Sequence, residues 1–232
     1  MSRWNVADVM TADPISVDED TPFKQIVDLL EAHGINAVPV VDRSNRVLGL
    51  VSSADLVPKI EFAGTDQRLH LFEPRRHRAA RDKATATAAA ELMTSPAMTL
   101  LPQTSLVEAA KIMETENLKR LPVVDDLGRL VGMVTRHDLL NVFLRDDADI
   151  RTEIIDETLS GIVGVESTQV RVEVDSGVVT LLGQLDRRSL VTMTVREIQR
   201  VPGVVDVVSY LTYRADDIER SAASFRSPIL FN

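Results

Sequence analysis

The chain has 232 residues, 44% of them hydrophobic and 26% charged, enough to bury one large or two modest cores. It contains no Cys, which excludes disulfides, thiolate nucleophiles and Cys-ligated metal centres and makes a reducing compartment the simplest expectation. The net charge of −9 is uneven: only residues 57–86 are net basic, with 7 basic against 4 acidic side chains, too narrow a footprint for general nucleic-acid binding.

No apolar run approaches the ~18 residues needed to span a bilayer. The opening MSRWNVADVM has an Arg and an Asp where a signal peptide would have its apolar stretch, so a cytoplasmic location is expected. After the short lead Val6 to Thr11, Pro14 to Val17 reads as a strand. Thr21 is the expected N-cap of a helix with Pro22 at its first position, because Phe23, Ile26, Val27 and Leu30 recur at helical spacing. Gly34 stops that helix. Ala37 to Asp42 and Val47 to Val51 then form a hairpin around Arg43-Ser44-Asn45, and a second helix starts at Ser52.

The same order returns further on. A strand is expected near Ala97 to Leu101, a helix from Thr104, a hairpin from Leu121 to Val134 and a helix from Thr135. Between the copies, residues 57–86 read as a long, partly helical connection, mobile near Pro74. Beyond Asp149 the pattern changes. A helix carrying Ile150, Ile154, Ile155 and Leu159 precedes a β-hairpin with alternating Val170, Val172, Val174 and Val179, Leu181. Gly183 is expected to break the strand. A helix from about Arg187 to Arg200, a final strand from Val204 to Leu211 and a loose tail from about Asp216 complete the chain.

The fold class is therefore mixed α/β (α+β), with two β-α-β-β-α repeats in one module and a smaller α-β-β-α-β domain. The expected boundaries are 1–62 and 87–148 for the repeats, 63–86 for the linker, 149–214 for the last domain and 215–232 for the tail.

The repeats are related by a constant offset of 83 residues, which carries Met10 to Met93, Thr21 to Thr104, Pro39 to Pro122 and Asp55 to Asp138. Each ends in a Gly-apolar-apolar-Ser/Thr-x-x-Asp-Leu tail, GLVSSADL from Gly49 and GMVTRHDL from Gly132. A hydroxyl residue three positions before a carboxylate at a helix start fits a capping box, which needs no ligand. The same arrangement also offers exposed N–H groups to a phosphate and a carboxylate to the hydroxyls of a ribose. Spacing leaves both readings open.

With Pro39-Val40-Val41-Asp42 and Pro122-Val123-Val124-Asp125 each followed by that tail, residues 6 to about 145 resemble a tandem pair of CBS domains, a Bateman module. The resemblance implies adenosine ligands (AMP, ADP, ATP or S-adenosylmethionine) in clefts between the copies. It assigns ribose binding to Asp55 and Asp138 and the hydroxyl position to Ser52 and Thr135. Family members that hold phosphate often carry a basic residue just before the Pro-Val strand. Here the second copy has Lys119 and Arg120, and the first has Asn36 and Ala37. The expected site is thus Lys119, Arg120, Thr135, Arg136 and Asp138, closed by Thr11, Pro14 and Ile15. A second cleft of Ser52, Ser53 and Asp55, facing Met98 and Thr99, is expected to lack a cation.

Residues 149 to 214 are similar to a BON domain through Val170-x-Val172, Gly177-x-Val179-x-Leu181-x-Gly183 and Val201-Pro202-Gly203-Val204. Many BON proteins are thought to touch phospholipid, whereas this segment is net acidic, so a protein or ligand contact is an equal expectation. No Walker loop, Gly-rich dinucleotide fingerprint or nucleophile elbow occurs, and the four His lack metal-ligand spacing. The expectation is a regulatory protein rather than an enzyme, with no metal and no required cofactor. A homodimer is expected through Phe23, Val27, Leu106 and Ala110. The alternative is a structural adaptor whose CBS pair only dimerises and whose BON domain docks on a membrane or a protein.

Overall fold

The computed structural model describes residues 4–62 and 82–218, so the expectations at His70, Pro74, His77 and beyond 218 lie outside the described residues. The chain divides by contact into two compact units, Asn5–Leu139 and Met1–Trp4 with Leu140–Asn232.

In the first unit, the first repeat comprises β1 (Thr11–Ala12), β2 (Val17–Asp18), α1 (Phe23–Ala32), β3 (Ala37–Val41), β4 (Val47–Ser52), α2 (Ser53–Leu56) and α3 (Pro58–Glu61). The second comprises α4 (Ala89–Leu92), α5 (Leu106–Thr115), β5 (Arg120–Val124), β6 (Leu130–Thr135) and α6 (Arg136–Leu140). The 83-residue offset is retained pair by pair. β3 and β4 align Ala37 with Ser52 and shift register after Val40; β5 and β6 align Arg120 with Thr135 and shift after Val123. Val17 pairs in parallel with Val40, and Leu100 with Val123, so the strand expected near 97–101 is reduced to one bridge. Arg46 bridges Arg129, a pair that the offset maps onto itself and that marks the pseudo-twofold axis.

The lead segments are exchanged between the repeats. Thr11 pairs with Met133 of β6, and its counterpart Thr94 bridges Leu50 of β4. Asn5 bridges Ser105, and its counterpart Ala88 bridges Pro22. Hydrophobic burial drives the exchange. Val6, fully buried, joins Leu100, Ala109, Leu121 and Val134 of the second repeat, whereas Ala89 and Leu92 join Ile26, Val38 and Val51 of the first. A Cβ on Gly49 would strike the Met93 sulfur and one on Gly132 the Met10 sulfur, so the two tail glycines admit the exchanged methionines.

The Pro22–Ala88 bridge also moves a helix start. Thr21 is not the N-cap; Pro22 holds that position in extended conformation, and α1 begins at Phe23. In the second repeat the cap is Ser105 rather than Thr104, its hydroxyl accepting from the Glu108 amide at 3.2 Å.

The second unit contains α7 (Asp147–Glu153), which continues as a π-helical segment Ile154–Leu159, then β7 (Val170–Asp175), β8 (Val178–Arg187), α8 (Arg188–Ile198) and β9 (Asp206–Ala215). The sheet order is β7-β8-β9, with β8 antiparallel to β7 and parallel to β9. Ser176 and Gly177 both have positive φ, the conformation of a two-residue type I′ hairpin, and their amides donate to the Asp147 carboxylate at 2.7 and 2.8 Å. Alternating residues Val170, Val172, Val179, Leu181 and Leu185 face a core shared with Ile150, Ile154, Leu159 and Ile198.

Three features of this unit differ from expectation. Gly183 does not end the strand: with φ +145° it lies against the Gln169 carbonyl, where no side chain fits, and β8 continues to Arg187. Asp216 and Asp217 are anchored rather than loose, accepting from Arg188 and from the Ser189 amide and hydroxyl. Residues ahead of Asp149 also pack in this unit. Val142 is buried, and Arg145 donates to the Pro202 carbonyl, pairs with Glu153 at 2.7 Å and lies 4.9 Å from the Trp4 ring centre.

Candidate nucleotide site

Both repeat tails form the capping box that their spacing allows. In the second, one Asp138 oxygen, Oδ2, accepts from the Thr135 amide at 2.7 Å and the Thr135 hydroxyl at 2.8 Å. In the first, Asp55 Oδ2 accepts from the Ser52 amide and hydroxyl, both at 2.7 Å. The helix that follows is pinned to the strand beside it, since the Arg136 amide donates to the Lys119 carbonyl and the Ser53 amide to the Asn36 carbonyl, each at 3.0 Å.

The second oxygens distinguish the two copies. Asp55 Oδ1 is taken by the Lys83 ammonium in a short, largely buried ion pair. Among the described residues Asp138 Oδ1 has no partner and remains able to accept. Lys83 was not foreseen, because it lies in the linker and has no counterpart in the repeat pattern.

Beside Asp138, Thr11, Pro14, Ile15, Lys119, Arg120, Thr135 and Arg136 line one cavity of about 710 Å³, together with Asn36, Met133 and His137. Asp138, expected at the centre of this site, is not among the lining residues; it is joined to the lining through its hydrogen bonds to Thr135. Near Asp55 a smaller cavity of about 450 Å³ is lined by Ser52, Ser53, Asp55 and Met98, with Glu116 to Leu121 on the opposite wall. Thr99 lies outside that lining. The expectation that this cleft lacks a cation is corrected, since Lys119 and Arg120 line it as well as the larger one. Asn36 was also missed as a lining residue of both cavities, although the offset maps it onto Lys119.

The cations are not equivalent. Arg136 is already engaged: one terminal nitrogen donates to the Met113 carbonyl in the last turn of α5 at 3.0 Å, and Nε donates to the Leu118 carbonyl in the loop that follows at 2.8 Å. Lys119 and Arg120 have no ion pair or hydrogen bond through their side chains among the described residues. Burial pushes the Arg120 guanidinium below its ordinary pKa, the cost of holding a charge in a partly desolvated wall without a counter-ion. An anion in either cavity would offset that cost with charge-assisted hydrogen bonds. No group of His, Asp and Glu able to hold a metal ion occurs among the described residues.

Two pseudo-symmetric repeats with exchanged lead segments, a capped tail at the end of each and, among the described residues, an unpaired cation in the cavity walls define a paired module. The CBS-domain model matches residues 6–61 and 89–145, and the BON-domain model matches 146–215. Over 153 residues the chain is 30% identical to an uncharacterised protein of Methanocaldococcus jannaschii, spanning 60% of this chain and 90% of that relative. It is 31% identical over 140 residues to a CBS domain-containing protein of Dictyostelium discoideum, spanning 60% and 91% respectively. Among solved structures it is similar to CBSX2 in complex with AMP, with a TM-score of 0.54 and 25% identity over 61% of this chain and 97% of that one. The chain belongs to the CBS-domain family, as a tandem CBS pair followed by a BON domain.

Proposed function

We propose that the CBS pair binds an adenine nucleotide in the cleft beside Asp138 and acts as a regulatory sensor without turning the ligand over. The single observation that carries this reading is Arg120, partly buried and without a side-chain partner among the described residues, in the same cavity wall as Thr135, the residue that holds Asp138. The phosphate lies against Arg120 and Lys119, the ribose hydroxyls donate to Asp138 Oδ1, and Pro14 and Ile15 supply apolar surface for the base. The AMP complex of the similar CBSX2 structure supports an adenine ligand.

The BON domain is the output of the module. Asp138 and Leu140 belong to the same short helix, and by contact Leu140 is the first residue grouped with the C-terminal unit. A ligand can bias that unit only if it binds one arrangement of the module more tightly than another. Of the residues expected to form a homodimer surface, Val27 on α1 and Ala110 on α5 are exposed while Phe23 and Leu106 are half-buried, and the surface is read as centred on the exposed pair.

Calorimetric titration of the full chain with AMP, ADP, ATP and S-adenosylmethionine tests the binding reading. Saturable binding of at least one of the four is expected, and heat from none of them rejects it in favour of a structural adaptor. Hydrogen exchange followed in the same titration is expected to slow across residues 145–159. Protection confined to the CBS clefts rejects the link to the BON domain.

A further inference from the structure

We propose that β9 is a self-pairing edge, by which two copies of the chain join their C-terminal sheets antiparallel about Tyr210. β9 runs for ten residues, Asp206–Ala215, and among the described residues nothing pairs with its outer side. Long edges left open in soluble proteins are usually blunted by Pro, Lys or a bulge. β9 contains neither Pro nor Lys, and its register with β8 runs without a shift from Val178↔Asp206 to Leu185↔Tyr213.

Three features of the strand select the same partner and the same register. The first is charge: the only ionised side chains on β9 are Asp206 near its start and Arg214 near its end. A second β9 in antiparallel orientation, centred on Tyr210, sets Asp206 opposite Arg214 at both ends. A parallel partner in register would set Asp206 opposite Asp206. Arg214 reaches Asp186 at 3.3 Å across an exposed surface, a pair worth little on its own and readily exchanged.

The second is backbone polarity. The amides of Val207 and Leu211 turn to oxygens of their own strand, Asp206 Oδ1 at 2.8 Å and Ser209 Oγ at 3.3 Å, which puts the odd-numbered amides on the side away from β8. Centring on Tyr210 pairs 207 with 213 and 209 with 211, odd with odd, as a hydrogen-bonded antiparallel ladder requires. Tyr210 then meets its own copy in a non-hydrogen-bonded pair, where side chains approach most closely.

The third is apolar surface. On the sheet face away from the core, Tyr210 is 63% exposed beside Leu182 at 38% and Val208 at 37%, in a chain of only two Tyr and one Trp. Doubling the sheet about Tyr210 brings the two patches together and buries the ring that one copy leaves in water.

Cysteine placement tests the register directly, because the chain has no Cys of its own. In the proposed pairing the two Tyr210 Cα atoms are about 4.5 Å apart, within disulfide reach. The two Thr212 Cα atoms are separated by four residues of strand, roughly 13 Å, and are out of reach. On mild oxidation of the full chain with diamide, Tyr210→Cys is expected to run mostly as a covalent dimer and Thr212→Cys as a monomer. No cross-link at Tyr210→Cys, or equal cross-linking of both variants, overturns the proposal. Charge reversal gives an independent reading. Asp206→Arg is expected to weaken association in sedimentation at least tenfold, and Asp206→Arg combined with Arg214→Asp to restore it. A single variant that associates like the wild type, or a double variant no better than the single, contradicts the pairing. Association through the CBS pair leaves the comparison of the two cysteine variants unchanged, and in sedimentation it is a constant contribution to every variant, against which the step that depends on Asp206 and Arg214 is read.

Discussion

The two repeats share backbone pairing almost residue for residue, yet their clefts are chemically different. Both tail aspartates use Oδ2 to cap the following helix, and among the described residues only Asp138 keeps Oδ1 open. At Asp55 the corresponding oxygen is held by Lys83, a residue from outside the repeat. A motif can thus be satisfied identically as structure and still differ as a binding site, because capping uses one carboxylate oxygen and recognition needs the other. The cation differs in the opposite sense: it belongs to one repeat but serves both clefts, Lys119 and Arg120 standing in both walls.

The largest expected effect removes what the clefts share. Arg120→Ala should lower affinity for AMP by about tenfold to a hundredfold, since a hydrogen bond to a charged group contributes roughly 1.5–3 kcal/mol. Binding of adenosine, which has no phosphate, should change little. Equal losses for AMP and adenosine would place Arg120 outside the phosphate subsite.

A second substitution should make the clefts more alike. Lys83→Ala releases Asp55 Oδ1, and calorimetry is expected to detect an added, weaker binding event per chain that the wild type lacks. Unchanged stoichiometry would mean that the ion pair is not what sets the first cleft apart.

The smallest effects concern the exchanged methionines. A Cβ on Gly49 meets the Thr94 carbonyl oxygen at 2.9 Å besides Met93, whereas at Gly132 the three nearest atoms all belong to the Met10 side chain. A flexible thioether can move and a backbone carbonyl cannot. Gly49→Ala is expected to cost about 1–3 kcal/mol in denaturant unfolding, and Gly132→Ala distinctly less. The reverse order would contradict the packing described for the lead segments.

Much of this architecture was legible because repeated tails, Pro-Val strands and turn residues fix the elements, and a constant offset fixes their correspondence. The exchange of leads was legible only through the family resemblance, which set Thr11, Pro14 and Ile15 against the second tail, and not from the spacing. The offset relates Val6 to Ala89, but it does not say on which core either one packs; the answer lies in complementary apolar surfaces far apart in sequence. The same limit applies to Lys83 and to the shared role of Arg120. Each acts on a partner in the other half of the repeat or beyond it, and spacing reports only local neighbours. Gly183 failed for a different reason: a glycine that reads as a stop is required there by close approach of the Gln169 carbonyl within a continuing strand.

The central claim is that the two tail aspartates are equivalent as caps and unequal as ligand contacts. AMP titration of Asp138→Asn beside Asp55→Asn tests it most directly, since the amide oxygen of Asn can keep the cap while the charged acceptor is lost. Asp138→Asn is expected to weaken binding about tenfold or more, with Asp55→Asn close to wild type. Equal losses in the two variants, or none in Asp138→Asn, would contradict the account.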